Sequence, residues 1–251
     1  MAKLSEEGFY GFLEEGENEL RAYINSGQLS MPVIEEFRQE YSFSFSIREI
    51  IEENWNALWE ASFDPVIVDK YVAIRADFHD IVKDVDHEII ITPKMSFGTG
   101  HHATTFLMIQ EMQKFNFTGR SVLDFGTGTG VLAILAAKSG AAKVLAIDND
   151  PWSIENAREN AVHNDCRNIQ LSLSSKIPDT GGFDIILANI NKHILLQYSG
   201  TLCESLRPSG ILIMSGILAE DRDELEKAYS QLGKPLIVNE KNNWLLITFR
   251  K

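Results

Sequence analysis

Leu123-Asp124-Phe125-Gly126-Thr127-Gly128-Thr129-Gly130 closes a short apolar run and opens onto 131–137, a stretch of helical composition. It reads as a strand-to-helix junction. Glycines at 126, 128 and 130 let the backbone turn sharply and approach a ligand with no Cβ in the way. The following helix presents unpaired N–H groups at the same place. Downstream, 144–147 is apolar again and ends at Ile147-Asp148, with Pro151 opening another helix. Further strands are expected at 122–125, 169–173, 185–188, 211–214 and 245–249. Helices are expected at 153–161, at 195–206 (stopped by Pro208 and Gly210) and at 221–232. Short continuous apolar runs alternating with helices predict an α/β fold, a mostly parallel sheet with helices on both faces.

Spacing within the glycine turn separates the ligands it could serve. The dinucleotide fingerprint G-x-G-x-x-G would place its third glycine at 131, where this chain has Val131. Asp124 builds a carboxylate into the turn, which suits a cationic or hydroxyl-bearing ligand and would repel a pyrophosphate. S-adenosyl-L-methionine carries an ammonium and no phosphate. A nicotinamide dinucleotide, and with it an oxidoreductase, is disfavoured on both counts. Asp148 faces the crevice beyond the carboxyl ends of the strands, where its two oxygens can accept from both hydroxyls of a ribose. Asp150 is better placed to cap the helix at Pro151. The blander alternatives are a ligand-free turn and a plain helix cap. Adenine contacts are expected around 172–176, where no acid or aromatic singles itself out.

Of the 251 residues, 44% are hydrophobic and 24% charged, ordinary globular values that exclude a disordered or fibrous chain. No apolar stretch approaches the roughly 18 to 20 residues of a membrane helix. Glu6, Glu7, Glu14, Glu15, Glu17 and Glu19 argue against a secretory or transit peptide. Cys166 and Cys203 have no metal or redox spacing, so a reduced, cytoplasmic location is expected. Net charge is −13, and its distribution is uneven: residues 1–70 hold 5 basic and 15 acidic residues together with 11 of the 24 aromatics. Such a field repels bare nucleic acid and attracts a basic partner. This predicts a small acidic, aromatic α+β module at 1–60, a linker at 61–93 and a main domain at 94–251. Within the first two, the alternation of Phe43 and Phe45 with serines predicts a strand. Ile50, Trp55, Leu58 and Trp59 follow at near-helical spacing, and 66–74 and 89–91 are strand-like.

The D-x-G-x-G-x-G turn with its downstream acid resembles the class I adenosyl-methionine-dependent methyltransferases, whose fold is Rossmann-like. Phe97-Gly98-Thr99-Gly100-His101-His102-Ala103-Thr104-Thr105 narrows this: it resembles the F-G-T-G-T-H-P-T-T signature of the ribosomal protein L-11 methyltransferases (PrmA family), with His101 for threonine and Ala103 for proline. Ala188-Asn189-Ile190-Asn191 is similar to that family's A-N-I-L, with Asn191 for leucine, and Ser215-Gly216-Ile217-Leu218 also agrees. Asn54-Trp55-Asn56 with Trp59, 9–15 and 22–24 are similar more loosely.

The resemblance implies S-adenosyl-L-methionine as cofactor and N-methylation of lysine ε-amines, of the N-terminal α-amine, or of both, on the basic ribosomal protein L-11. The N-terminal module would present that substrate. Matched residue by residue, Thr105, Gly126, Asp148 and Asn189 fall on the family's cofactor-binding positions. Asp124 and Gly128 complete the expected cofactor set. Asn189 is the catalytic candidate, because its side-chain carbonyl can accept from an amine N–H and orient the nucleophile. Loop 97–105 is expected to fold over the cofactor, with hinge freedom at Gly98 and Gly100 and with Phe97 and His102 toward the substrate. Two loop histidines lack the further ligands of a metal site, so no metal is expected. Neither a nucleic-acid partner nor a membrane is expected, and the chain is read as a monomer. The alternatives are a related methyltransferase acting on another protein's lysines or a small amine, a non-catalytic binding module, and a nucleic-acid methylase, whose N-P-P-[YFW] motif Ile190-Asn191 does not continue.

Overall fold

A computed structural model describes residues 2–15, 19–49, 64–92, 98, 100–178 and 182–251. The chain divides into two compact units, Met1–Trp59 and Glu60–Lys251.

The first unit holds helix α1 (Ala2–Glu6), an antiparallel hairpin of β1 (Gly11–Glu15) and β2 (Glu19–Tyr23), and helix α2 (Met31–Tyr41). Pro32 in the first turn of α2 costs no hydrogen bond there. Ser42, left-handed at φ 53°, ends that helix. Among the described residues of this unit, the buried apolar side chains are Phe9 and Ile34. The strand expected at Phe43 and Phe45 does not form. These residues join no ladder, and the two rings contact each other at 6.3 Å. Period-two alternation supplies a face but not a partner, and a strand needs both. Ile50, Trp55, Leu58 and Trp59 lie outside the described residues.

The second unit is built on a seven-stranded sheet of order β11-β12-β10-β9-β6-β7-β8. Its strands are β6 (Ser121–Phe125), β7 (Lys143–Asp148), β8 (Ile169–Leu173), β9 (Phe183–Asn189), β10 (Leu206–Leu218), β11 (Ile237–Lys241) and β12 (Trp244–Arg250). From β8 across to β10 the pairing is parallel. β12 then runs antiparallel to β10 and β11. The expected mostly parallel sheet is present. β11, which the sequence reading omitted, pairs with β12 through a tight turn at Asn242 and Asn243, both at positive φ.

Each face of the sheet is sealed. On one side pack α3 (Ala103–Met112), α4 (Val131–Lys138) and α5 (Pro151–His163), with Met108, Ile134 and Val122 in their core. On the other side α6 (Lys192–Gln197), α7 (Ser199–Ser205) and α8 (Arg222–Ala228) cover Leu123, Ile186 and Leu212. The single helix expected over 195–206 is broken at Tyr198, whose ring packs 5.1 Å from that of Phe125.

Residues 61–93, expected as a linker, carry a three-stranded sheet instead: β3 (Val66–Val68) antiparallel to β4 (Val72–Arg75), which is parallel to β5 (His87–Ile90). Val68, Val72, Ile74 and Ile89 are fully buried in the same core as α3 and α4. Arg75 grips Glu88 through two N–H···O bonds of 2.8 and 3.1 Å, and its third nitrogen bonds the carbonyls of Ala76 and His79. A buried, bidentate pair of this kind fixes the chain between β4 and β5.

Candidate active site

Parallel strands leave their carboxyl ends on one edge, and a crevice opens where the strand order reverses. Here β6 lies between β7 and β9, and the glycine turn after β6 opens onto a cavity of about 770 Å³. That is within the range of small-molecule sites. Gly126 and Gly128 of the turn, Asp148 at the end of β7 with Asn149, and Ser174 and Ser175 after β8 line it. Asn189 at the end of β9 with Ile190 and Asn191, Gly216 of β10, Trp244 of β12 and His102 before α3 line it as well.

Gly126, Gly128 and Gly130 all have positive φ, the conformation glycine adopts without strain. Asp148 is half-buried. One carboxylate oxygen accepts the Gly128 N–H at 2.9 Å, and the other accepts the Asp150 N–H at 3.0 Å. Each oxygen keeps a lone pair for the cavity. Asp150 takes the capping role expected for it, accepting from the Trp152 and Ser153 N–H groups. That leaves Asp148 to the cavity.

Asp124 is placed differently from Asp148. It does not line the cavity but lies beneath the turn, 1% exposed. One of its oxygens accepts from the Thr127 hydroxyl at 2.6 Å and the Ala133 N–H at 3.1 Å, tying the turn to α4. The other oxygen is buried without a hydrogen-bond partner. Burial pushes this carboxyl up from 3.8 to about 7, with the like charge of Asp148 adding to the rise and the two hydrogen bonds opposing it.

Asn189 ends β9 and is 9% exposed. Its amide nitrogen donates to the Thr105 hydroxyl at 3.3 Å, while its carbonyl oxygen is buried without a partner. Thr105, in the first turn of α3, therefore holds the amide by its nitrogen end. Thr105 itself walls a hollow of about 10 Å³ that shares Gly126 and Asn189 with the main cavity. The segment after Asn189 is held close by β10: a Cβ on Gly216 would lie 2.4 Å from the Ile190 carbonyl oxygen.

Phe97 lies outside the described residues. Gly98 and Gly100 are buried. A Cβ would come within 2.7 Å of the Thr129 hydroxyl at Gly98 and within 2.7 Å of Ile74 at Gly100. Both glycines serve close approach. His102 lines the cavity, caps α3 by accepting the Thr104 N–H, and packs edge-on against Trp244 at 4.8 Å. The sequence reading missed Trp244, Gly216, Tyr198 and His193 as cavity walls. A usable signal preceded Trp244: an Asn-Asn pair between two apolar runs marks a hairpin that brings the next residue to a strand end.

The polar lining joins the Asp148 carboxylate to the side chains of Asn149, Ser174, Asn189 and Asn191. It suits a ligand with an ammonium and vicinal hydroxyls, and S-adenosyl-L-methionine has both. Among the described residues no group of three His, Cys, Asp or Glu is placed to hold a metal, and no helix is long and apolar enough to cross a membrane.

Comparison with known proteins agrees with this geometry. The family described as "Ribosomal protein L11 methyltransferase (PrmA)" matches residues 11–251. The chain is 40% identical over 259 residues to the ribosomal protein L11 methyltransferase of Porphyromonas gingivalis, covering 99% of this chain and 88% of the relative. The crystal structure of ribosomal protein L11 methylase from Lactobacillus delbrueckii subsp. bulgaricus is similar at a TM-score of 0.68 and 32% identity, over 75% of this chain and 100% of that one. A T. thermophilus 16S rRNA N2 G1207 methyltransferase solved with AdoMet and guanosine shares the fold at a TM-score of 0.52 and 19% identity, over 62% of this chain and 45% of its own. With a family match over nearly its whole length, this chain belongs to the ribosomal protein L11 methyltransferases.

Proposed function

We propose that this chain is an S-adenosyl-L-methionine-dependent protein N-methyltransferase acting on ribosomal protein L11, at lysine ε-amines, at the N-terminal α-amine, or at both. When bound, the cofactor supplies an electrophilic methyl group on a sulfonium. The protein's task is to hold a neutral amine in line with it and keep water out. Only roughly one free lysine amine in 2,500 is neutral at pH 7, so the site must favour the neutral form. The apolar walls of Ile190 and Trp244 disfavour the ammonium by desolvation.

The observation that carries this reading is the Asn189 carbonyl oxygen, buried and unpartnered because its own amide nitrogen is committed to Thr105. Such an acceptor can take an N–H from the substrate amine, and accepting one turns the amine's lone pair toward the methyl group. No histidine base is needed. We assign the ribose hydroxyls to Asp148, the α-ammonium to the neighbourhood of Asp124, and the cofactor backbone to Gly126 and Gly128. Thr105 steadies Asn189 from behind.

The acidic residues of 1–70 complement a basic ribosomal protein, and we assign substrate docking to that part of the chain. The same charge opposes a direct role for nucleic acid. We further read the enzyme as a cytoplasmic monomer. Incubating ribosomal proteins with the enzyme and isotopically labelled cofactor, followed by mass spectrometry, should place label on L11 amines. Label confined to another protein or to RNA would replace this reading.

A further inference from the structure

Helix α5 carries Asn156 and Asn160, and Asn164 is its C-cap; spaced four residues apart they share one face, and all three are buried. Buried amides need partners, and apart from the Asn156 carbonyl oxygen, which has none, these find theirs in backbone. The Asn164 carbonyl accepts the Ile90 N–H at 3.0 Å, and its amide donates to the Ile90 carbonyl at 2.6 Å. Asn160 accepts the Thr92 N–H at 2.8 Å, and Asn156 donates to the Thr92 carbonyl at 3.1 Å. Side-chain amides thus stand in for a neighbouring strand along the chain leaving β5.

Asn160 has one more bond to give. Its amide nitrogen donates to the main-chain carbonyl of Thr129 at 2.8 Å. Thr129, fully buried between Gly128 and Gly130, donates its hydroxyl to the Gly98 carbonyl at 2.7 Å. Thr92 and Gly98 are therefore tied to one another through Asn160 and Thr129, and the tie passes through the glycine turn. Gly98 in turn shares the small hollow behind Asn189 with Thr105 and Gly126.

We propose that Thr129 and Asn160 are positioning residues that clamp the Gly98 segment onto the glycine turn, so that cofactor affinity depends on a hydroxyl outside the cavity wall. This rests on reading the cavity as the S-adenosyl-L-methionine site. Without the clamp, Gly98 must be fixed when the cofactor binds, and affinity falls by the entropy of doing so.

The test is calorimetric titration of the full chain with S-adenosylhomocysteine. Thr129→Val, nearly the same shape without the hydroxyl, should weaken binding about tenfold, the effect of one hydrogen bond. Thr129→Ser, which restores the hydroxyl with less packing, should bind within about twofold of the parent. Parent-like binding by Thr129→Val overturns the proposal, and so does a serine variant as weak as the valine one. Should Thr129→Val fail to fold, residue-resolved hydrogen exchange on the parent decides. Saturating S-adenosylhomocysteine should slow exchange of the Thr92 amide, which is not a cavity residue, and an unchanged rate overturns the clamp. Asp148→Ala separates the two readings. If it binds weakly while Thr129→Val binds like the parent, the cofactor site stands and the clamp falls. If Asp148→Ala itself binds like the parent, the cofactor reading falls and the clamp falls with it.

Discussion

The two units treat apolar surface differently. In Glu60–Lys251, both faces of the seven-stranded sheet are covered, and whole strands such as β6 and helices such as α4 are buried along most of their length. In Met1–Trp59, Tyr10 is 70% exposed and Tyr41 56%, and Leu13, Leu20, Met31, Phe43, Phe45 and Ile47 are also exposed. The larger unit buries most of its apolar side chains, although Ile81, Trp152 and Val162 stand exposed on it. The other keeps its apolar side chains open among acidic residues, which is the surface a basic partner would cover. The difference assigns cofactor chemistry to the second unit and, under our proposal, substrate choice to the first.

Removing residues 1–59 tests that division most severely. S-adenosylhomocysteine affinity should stay within about twofold, whereas kcat/KM on L11 should fall by about hundredfold or more, equivalent to roughly 3 kcal/mol of lost docking energy. Undiminished methylation by the truncated enzyme would break the comparison.

A second measurement probes how tightly the larger unit seals its polar groups. The Asp124 carboxyl rises from 3.8 to about 7 on burial, so between those values the folded chain holds a proton that the unfolded chain has lost. Stability therefore falls as pH rises through that window and levels off above it. Asp124→Asn imitates the neutral form and should remove the slope, with a gain on the order of a few kcal/mol at pH 8. Urea unfolding of both proteins across pH 4 to 8 reads it, and an identical slope in the variant would discount the burial.

Backbone packing at the two ends of the same covered face gives the smaller contrasts. Gly216 has φ +87°, and an added Cβ would meet the Ile190 backbone, which cannot swing aside. Gly216→Ala should cost about 2 to 3 kcal/mol in denaturant unfolding. Gly200, in α7, has nothing within 4 Å of the same atom. Gly200→Ala should stabilise by roughly 0.5 kcal/mol through helix propensity. Equal effects at both positions would mean that the close approach of β10 to Ile190 is looser than it looks.

Much of the larger unit was legible because its signals are local. An apolar run ending in Asp124 and three glycines can only be a strand turning into a helix, and β6 and α4 lie where that reading put them. The same holds for β7, for α5 and for the capping of α5 by Asp150. The strand expected at Phe43 and Phe45 failed because a ladder partner is not a local property. The linker expected before residue 94 became a sheet because Val68, Val72 and Ile74 had a helix layer to bury against. Asn156, Asn160 and Asn164 were visible as letters, yet a polar stripe on a helix ordinarily means solvent. Only the chain beyond β5 passing along that face makes it an interior clamp.

By itself, the sequence determined where the backbone must bend without a Cβ, which carboxylates stand at strand ends, and that an acidic module precedes them. These follow from steric and covalent rules acting within a few residues. The tertiary structure decided that the Asn189 amide nitrogen is committed to Thr105, that Asp124 is buried beneath its turn with one oxygen unpartnered, and that Trp244 lines the cavity. Those outcomes depend on groups 84 residues apart in the Asn189–Thr105 bond, and no local preference reaches that far.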